Sequence, residues 1–203
     1  MPSQQTDLPF SQACENNKRP ILEQLRRWLV PGDRVLEVGS GTGQHAEWFA
    51  NALADVIWQC SDQPDYLPGL QRRLDLAGLD NLPDALVFRI GEDAWPRIQA
   101  NVVYSANTLH IMSAECGDRF CKMVAQHLPA TGQLIIYGPF RIDGQHTADS
   151  NRRFDQQLRA SGYGGVRDIS EIKQALGPEW LLAERVAMPA NNQMLRFVRR
   201  PLG

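Results

Sequence analysis

Between Arg34-Val35-Leu36-Glu37-Val38, which reads as a short strand, and a helical pattern from about Gln44 to Leu53 stands Gly39-Ser40-Gly41-Thr42-Gly43. Glycines in such a turn let the backbone bend tightly and approach a ligand where any Cβ would collide. The following helix points its free N–H groups at that ligand and favours a carboxylate or phosphate there. In open α/β sheets this turn lies at the C-terminal ends of the strands, where ligands bind. The plainer alternative is a turn that serves only strand–helix packing, but three alternating glycines exceed what packing needs. A dinucleotide fingerprint would place glycine at position 44, where Gln44 stands, and a Walker loop would end in Gly-Lys-Ser/Thr, which is absent. Asp62 follows Gly43 by 19 residues, at the end of the next predicted strand. An acid there can accept hydrogen bonds from both hydroxyls of a ribose.

Hydrophobic periodicity gives alternating helices and strands along the rest of the chain. Pro20 opens a first helix with Ile21, Leu22, Leu25, Trp28 and Leu29 on one face, and Pro31-Gly32 stops it. Further strands are expected at Val56 to Cys60, Ala85 to Ile90, Val102 to Ser105 and Leu134 to Tyr137, with helices at Tyr66 to Ala77 and Cys116 to Leu128. A polar, loop-rich stretch runs from Gly138 to about Ser150, followed by a helix from Asn151 to Ala160. Trp180 to Met188 and Met194 to Arg199 close the chain as two strands, with Pro189 to Asn192 between them. This order implies βαβ units and an α/β fold: a doubly wound, Rossmann-like, mostly parallel sheet of seven strands. The short last connection requires an antiparallel hairpin, so an antiparallel strand is expected at the C-terminal end of the sheet.

The chain has 203 residues, 43% hydrophobic and 22% charged, with a formal net charge of −2. That length matches one domain, 1–203, able to fold without metal or disulfide. Within it, 1–30 reads as an N-terminal arm and helix, and 138–178 as a variable, substrate-side segment. Basic residues are scattered and mostly arginine, the lysines being Lys18, Lys122 and Lys173, which argues against nucleic acid as a partner. No apolar run approaches 18 residues, so no membrane span is expected. Met1 to Leu8 lacks the pattern of a signal peptide. Cys14, Cys60, Cys116 and Cys121 form no CxxC pair and no zinc spacing, and read as reduced thiols of a cytoplasmic protein. The sequence carries no signal for an oligomeric state.

The ExGxGxG form beginning at Glu37 resembles motif I of the class I S-adenosylmethionine-dependent methyltransferases. The resemblance implies S-adenosyl-L-methionine as cofactor, leaving as S-adenosyl-L-homocysteine, and cofactor contacts by Glu37, Gly39, Ser40, Gly41, Gly43 and Asp62. An acid after the third strand meets the adenine amino group in that family. Asp93, with Ala94 beside it, is so placed; the competing reading is a helix N-cap before Trp95-Pro96. Asn107, after the fourth strand, joins the cofactor set.

Several segments together resemble one family, that of methyltransferase-like protein 26 and its bacterial relatives. They are Ser11 to Lys18, Gly39 to His45, Asn107-Thr108-Leu109-His110, Tyr137-Gly138-Pro139-Phe140, Ser150-Asn151 with Phe154-Asp155, Val166-Arg167-Asp168, and Met188-Pro189-Ala190-Asn191-Asn192. The resemblance implies a class I methyltransferase fold and supplies no acceptor. It raises Glu15, Asn17 and Lys18, read as preceding the first helix, to candidate contacts; a solvated turn is the plainer reading. Asn151, Asp168, Asn191 and Asn192 are polar substrate contacts or turn residues tolerant of left-handed backbone. Asn101 departs from the acid many class I enzymes carry at the start of the fourth strand.

Methyl transfer is an in-line displacement at a sulfonium carbon, in which alignment supplies much of the rate and no metal is required. A base helps only where the nucleophile is protonated. His110 and Tyr137 are the catalytic candidates. His110 orients or deprotonates an acceptor, or else bonds a loop carbonyl; Tyr137 faces the acceptor, or is strand core; Arg141 follows on the same side. His45, in the first turn of its helix, lines the pocket or, as the plainer reading, takes a partly exposed surface role. The leading expectation is a methyltransferase for a small, polar or anionic molecule. The alternative from another class is a non-catalytic cofactor-binding or interaction protein on the same fold, and a nicotinamide-dependent oxidoreductase stands third.

Overall fold

The computed structural model describes residues 8–200. Residues 1–7, most of the segment read above as lacking a signal peptide, lie outside the described residues. The chain divides into two compact units, residues 1–89 and 90–203.

The first unit contains α1 (Gln12–Trp28), β1 (Arg34–Val38), α2 (Gln44–Ala52), β2 (Ile57–Asp62), α3 (Leu67–Ala77) and β3 (Leu86–Val87). β1 pairs in parallel with β2, Val38 standing opposite Ser61, and β2 pairs in parallel with β3. Val35, Leu36, Glu37 and Val38 are all buried, as expected of a parallel strand covered on both faces. Helix α1 begins eight residues before the expected Pro20. Ser11 caps it, its side chain accepting the Cys14 N–H, and Pro20 lies inside the helix, where it has no N–H to give. The expected apolar face is present, with Ile21, Leu22, Leu25 and Trp28 buried. β3 is two residues rather than the expected six.

The second unit contains β4 (Val102–Ala106), α4 (Ala114–His127), β5 (Gln133–Gly138), β6 (Arg141–Ile142), β7 (Gln145–His146), α5 (Asp149–Ala160), α6 (Ile169–Leu176), β8 (Trp180–Met188) and β9 (Asn192–Arg199). β4 and β5 are parallel, and all six residues of β5 are buried. β9 runs antiparallel to both β5 and β8, so β8 shares the direction of β5 and β9 is the reversed strand. A 3₁₀ turn, Pro189–Asn191, makes the β8–β9 hairpin. The main sheet has seven strands, mostly parallel, as the alternation of elements implied.

Two features differ from the expectation of loops after β5. Residues 141–146 form a two-stranded hairpin, and α6 adds a helix the periodicity did not reveal. α6 opens with a capping box: Asp168 accepts from Ser170 N–H while Glu171 accepts from Asp168 N–H. Among the described residues, no helix is long and apolar enough to cross a membrane.

Candidate functional site

The glycine loop is held by β2. The Ser61 carbonyl accepts from Gly39 N–H at 3.0 Å and Ser40 N–H at 3.1 Å, and Ser40 Oγ accepts the Ser61 N–H at 3.2 Å. Asp62, 8% exposed, closes the turn: Oδ2 accepts Gly41 N–H at 2.6 Å and Oδ1 accepts Gln63 N–H at 2.7 Å. Burial pushes this carboxyl up from its ordinary value, and the Gly41 and Gln63 N–H groups oppose that rise. The glycines divide by role. Gly41, at φ +55°, would direct a Cβ into open space, whereas a Cβ on Gly43, at φ +74°, would stand 2.8 Å from Leu70 Cδ1 and 3.1 Å from Arg73 Cδ. For Gly43 the packing of α3 against the loop is reason enough for glycine; for Gly41 it is not.

Glu37 is 2% exposed, and its Oε2 accepts from Trp58 Nε1 at 3.0 Å and from Cys60 Sγ at 3.8 Å. Its carboxylate therefore braces the loop from the interior, and burial pushes it up to about 7. The Ser61 hydroxyl donates to the Glu37 main-chain carbonyl at 2.7 Å, a further tie between β2 and β1 just before the loop.

Glu15, Asn17 and Lys18 do not precede the first helix: they lie within α1, because Ser11 rather than Pro20 starts it. Asn17 is buried, and its Oδ1 accepts from His45 Nε2 at 2.6 Å. His45 is 4% exposed and stacks on Phe49 with ring centroids 5.1 Å apart, so the expected surface role is overturned. Burial holds this imidazole down to about 4, neutral near physiological pH. Glu15 accepts from Lys18 Nζ at 2.5 Å and Gln44 Nε2 at 2.7 Å, and the Lys18 hydrogen bond holds its carboxyl below the usual range. Gln44, read earlier only as the residue that breaks a dinucleotide fingerprint, joins three segments. Its Oε1 accepts from Ser11 N–H at 2.6 Å and from the Thr42 hydroxyl at 3.0 Å while its amide reaches Glu15. Arg73 adds a second tie, donating to the carbonyls of Thr42 and Pro9 and pairing with Glu47 at 2.8 Å. Glu15, Lys18, Gln44, Glu47, Trp48 and Arg73 line a cleft of about 480 Å³ on the helical side of this unit.

In the second unit the ends of β4 and β5 bring Asn107, His110 and Gly138 together. Asn107 N–H donates to the Tyr137 carbonyl at 2.9 Å, and Asn107 holds left-handed backbone at φ 56°. A Cβ on Gly138 would lie 3.8 Å from His110 Nδ1 and 3.9 Å from Asn107 Oδ1. His110 is 8% exposed, and burial holds it down to about 4. Tyr137 is buried in the middle of its sheet, opposite Ala106 on β4 and Met194 on β9.

The remaining candidates are engaged by neighbouring main chain and side chains of the second unit. Arg141 pairs with Glu171 at 3.0 Å and Asp168 caps α6 and accepts Gly144 N–H at 2.7 Å. Asn151 donates to the Asn191 carbonyl at 2.9 Å and to Thr147 Oγ1 at 3.0 Å, Asn191 adopts φ 58°, and Asn192 donates to the Pro189 carbonyl at 3.3 Å. Of these three asparagines only Asn191 holds left-handed backbone, while Asn151 lies inside α5. Asp93 begins no helix, which removes the N-cap alternative. With Ala94 it borders a cleft of about 450 Å³, where Trp95 and His127 stack at 5.0 Å. Among the described residues, no group of three or more His, Cys, Asp or Glu side chains is arranged to hold a metal ion.

Known structures share this fold. The S-adenosylmethionine-dependent methyltransferase SibL, in its apo form, matches with a TM-score of 0.73 at 18% identity, over 92% of this chain and 55% of that one. The O-methyltransferase NcsB1 from neocarzinostatin biosynthesis, in complex with S-adenosyl-L-homocysteine and 1,4-dihydroxy-2-naphthoic acid, matches at 0.73 and 16%, over 93% and 55%. The fold is that of these methyltransferases. The chain belongs to the family described as "Protein of unknown function (DUF938)", whose model matches residues 8–199. It is also 26% identical over 145 residues to the protein-L-isoaspartate O-methyltransferase of Pyrococcus horikoshii, covering 71% of this chain and 61% of that protein. This chain thus spans a little over half the length of the proteins it matches.

Proposed function

We propose that this chain is an S-adenosylmethionine-dependent methyltransferase acting on a small-molecule acceptor. The observation that carries the reading is the carboxylate of Asp62 set against Gly41. Each Asp62 oxygen accepts one main-chain N–H, and a carboxylate oxygen has a second acceptor site. Two adjacent acceptors match the paired hydroxyls of a ribose, and the side of Gly41 that a Cβ would occupy is open. The residues present therefore fit the cofactor, which when bound supplies a sulfonium methyl that a nucleophile can take while sulfur keeps the electron pair.

In this reading Asp62 orients the cofactor, Gly39, Ser40 and Gly41 shape its cradle, and Gly43 and Glu37 keep the cradle in place. Roles for Asp93, Ala94 and Asn107 toward the cofactor rest on the motif resemblance, as does kinship with methyltransferase-like protein 26. His110, neutral at working pH, is free to accept the acceptor's proton. Tyr137 and the segment 138–178 belong to the acceptor side. The family match from residue 8 to residue 199 supports treating the chain as one working domain. Its four free thiols are in keeping with the cytoplasm.

Calorimetry with S-adenosyl-L-homocysteine tests the reading. Binding in the micromolar range is expected, and Asp62→Ala abolishes it. No heat of binding with folded wild-type protein would sink the proposal. Tight binding with no release of S-adenosyl-L-homocysteine from S-adenosyl-L-methionine in any cell extract would favour a cofactor-binding protein without chemistry.

A further inference from the structure

The second unit carries exposed apolar side chains to which the roles above give no individual part. Ile111, Phe154 and Tyr163 are 48%, 37% and 48% exposed, although side chains of this kind are ordinarily drawn inward. Two of them stand beside one residue, His110, and the third, Tyr163, lies on the segment fastened to it. Ile111 follows it in the chain, and the Phe154 ring, on α5, meets the His110 ring edge-on with centroids 5.3 Å apart. The segment after α5 is fastened to the same place: Gly165 N–H donates to the His110 carbonyl at 3.0 Å, two residues beyond Tyr163. A Cβ on Gly164 would collide with the Met112 carbonyl, so the two stretches of chain are in direct contact there.

His110 is 8% exposed, and no hydrogen bond from a described residue engages its ring nitrogens, which are not among the buried side-chain atoms shut off from solvent without a partner. A ring nitrogen that still reaches solvent can accept a hydrogen bond from an incoming ligand. The nearest acid on α5, Asp155, is already engaged by Val166 N–H at 2.7 Å and by Arg159. The patch therefore offers apolar area with one neutral, unpartnered imidazole inside it, and the Asn107 amide oxygen near by. That composition recognises a flat, uncharged ring bearing a hydroxyl, because the ring covers the apolar side chains and the hydroxyl donates to His110.

We infer that Ile111, Phe154 and Tyr163 with His110 form the acceptor site of this chain, and that its acceptor is an aromatic hydroxyl compound. The inference rests on the methyltransferase reading and replaces the sequence-based expectation of a polar or anionic acceptor.

The test uses the full chain and 2-naphthol as probe, with citrate as the polar anionic comparison, each titrated with and without saturating S-adenosyl-L-homocysteine. Saturable 2-naphthol binding is expected, with none for citrate. Phe154→Ser and Ile111→Ser, both at exposed positions, should each weaken it roughly tenfold or more. His110→Phe, which keeps a ring and removes the acceptor nitrogen, should reduce the preference for 2-naphthol over naphthalene. Unfolding curves of every variant establish that it is folded. Absence of 2-naphthol binding, citrate binding in its place, or binding that ignores Phe154→Ser and Ile111→Ser each overturns the inference. If S-adenosyl-L-homocysteine gives no heat, the methyltransferase reading fails on its own; normal heat with no 2-naphthol binding removes the acceptor assignment alone.

Discussion

Gly41 donates its N–H to Asp62 Oδ2 at 2.6 Å, while Gln63 N–H holds the other oxygen at 2.7 Å, so one carboxylate is gripped at both ends by the main chain. An amide cannot accept at both ends. Asp62→Asn leaves one N–H facing an NH₂ group, and an unsatisfied buried donor costs about 1–3 kcal/mol. The variant is therefore expected to lose that much stability in urea unfolding, and to lose affinity for S-adenosyl-L-homocysteine by at least roughly tenfold in calorimetry. Unchanged affinity in a folded variant counts against the ribose role.

The two loop glycines should separate stability from binding. Gly43→Ala forces alanine into φ +74° and drives its Cβ to within 2.8 Å of Leu70 Cδ1. The backbone and overpacking costs together come to about 2–5 kcal/mol. Gly41→Ala, with open space before its Cβ, carries only the backbone cost of about 1–2 kcal/mol. The expected pattern is a larger drop in Tm for Gly43→Ala and a larger loss of cofactor affinity, measured below both transitions, for Gly41→Ala. The reverse pattern would show the open side of Gly41 to be idle.

What could be seen in the sequence divides along a physical line. β1, β2, β4 and β5 were legible because they are short, mostly apolar segments between helical patterns and turns, and the loop because its glycines stand between a strand and a helix. The start of α1 was missed because Pro20 is a strong helix-opening signal, while the Ser11 cap is a single hydroxyl. α6 was missed because it has only eight residues, although Asp168-x-x-Glu171 spells its capping box. His45 looked like a surface residue because its partner, Asn17, lies 28 positions away on another helix. Local pattern reports which face of an element is apolar. It does not report which polar side chains pair across the core.

Glu37 gives the fold a pH dependence of known sign. Burial raises its carboxyl to about 7 from an ordinary 4.5, so between those values the folded protein retains a proton that the unfolded chain has released. Stability therefore falls as pH rises through that window. Glu37→Gln keeps the shape and an acceptor for Trp58 Nε1 and has no proton to lose. Relative to wild type, the variant is expected to gain about 2–3 kcal/mol between pH 5 and pH 8 in urea unfolding. An equal difference at both pH values would contradict a buried, proton-retaining carboxyl.

His45 acts at the acid end. Its folded value of about 4 lies below the ordinary 6.5, so on acidification the unfolded chain takes up a proton that the folded protein refuses. The stability this neutral imidazole allows is complete above pH 6.5 and is lost as pH falls toward 4. His45→Gln, which can still donate to Asn17 Oδ1, should start from a lower Tm because it loses the stack on Phe49. Its Tm should then fall less steeply than wild type between pH 6.5 and 4.5. Parallel Tm profiles for the two proteins would place the acid sensitivity elsewhere.

Gln44 links the N-terminal helix to the glycine loop through one side chain. Its oxygen takes the Ser11 N–H and the Thr42 hydroxyl, and its amide holds Glu15. Ser11 in turn caps α1, so loss of the glutamine loosens both the start of that helix and the middle of the loop. Gln44→Ala removes three hydrogen bonds but leaves the helix former alanine in α2, which limits the expected loss of stability to about 1–3 kcal/mol. Because Arg73 still ties Thr42 and Pro9, the fold should survive. Amide exchange is then the informative measurement. Protection should fall at Cys14 and Glu15, whose N–H groups bond Ser11, and at Gly41 and Gly43, and stay unchanged in β1 and β2. Addition of S-adenosyl-L-homocysteine should restore the loop positions more than the helix positions, because the cofactor reading places it on the loop. Exchange that changes at the helix alone would mean that Gln44 anchors α1 without positioning the glycine loop.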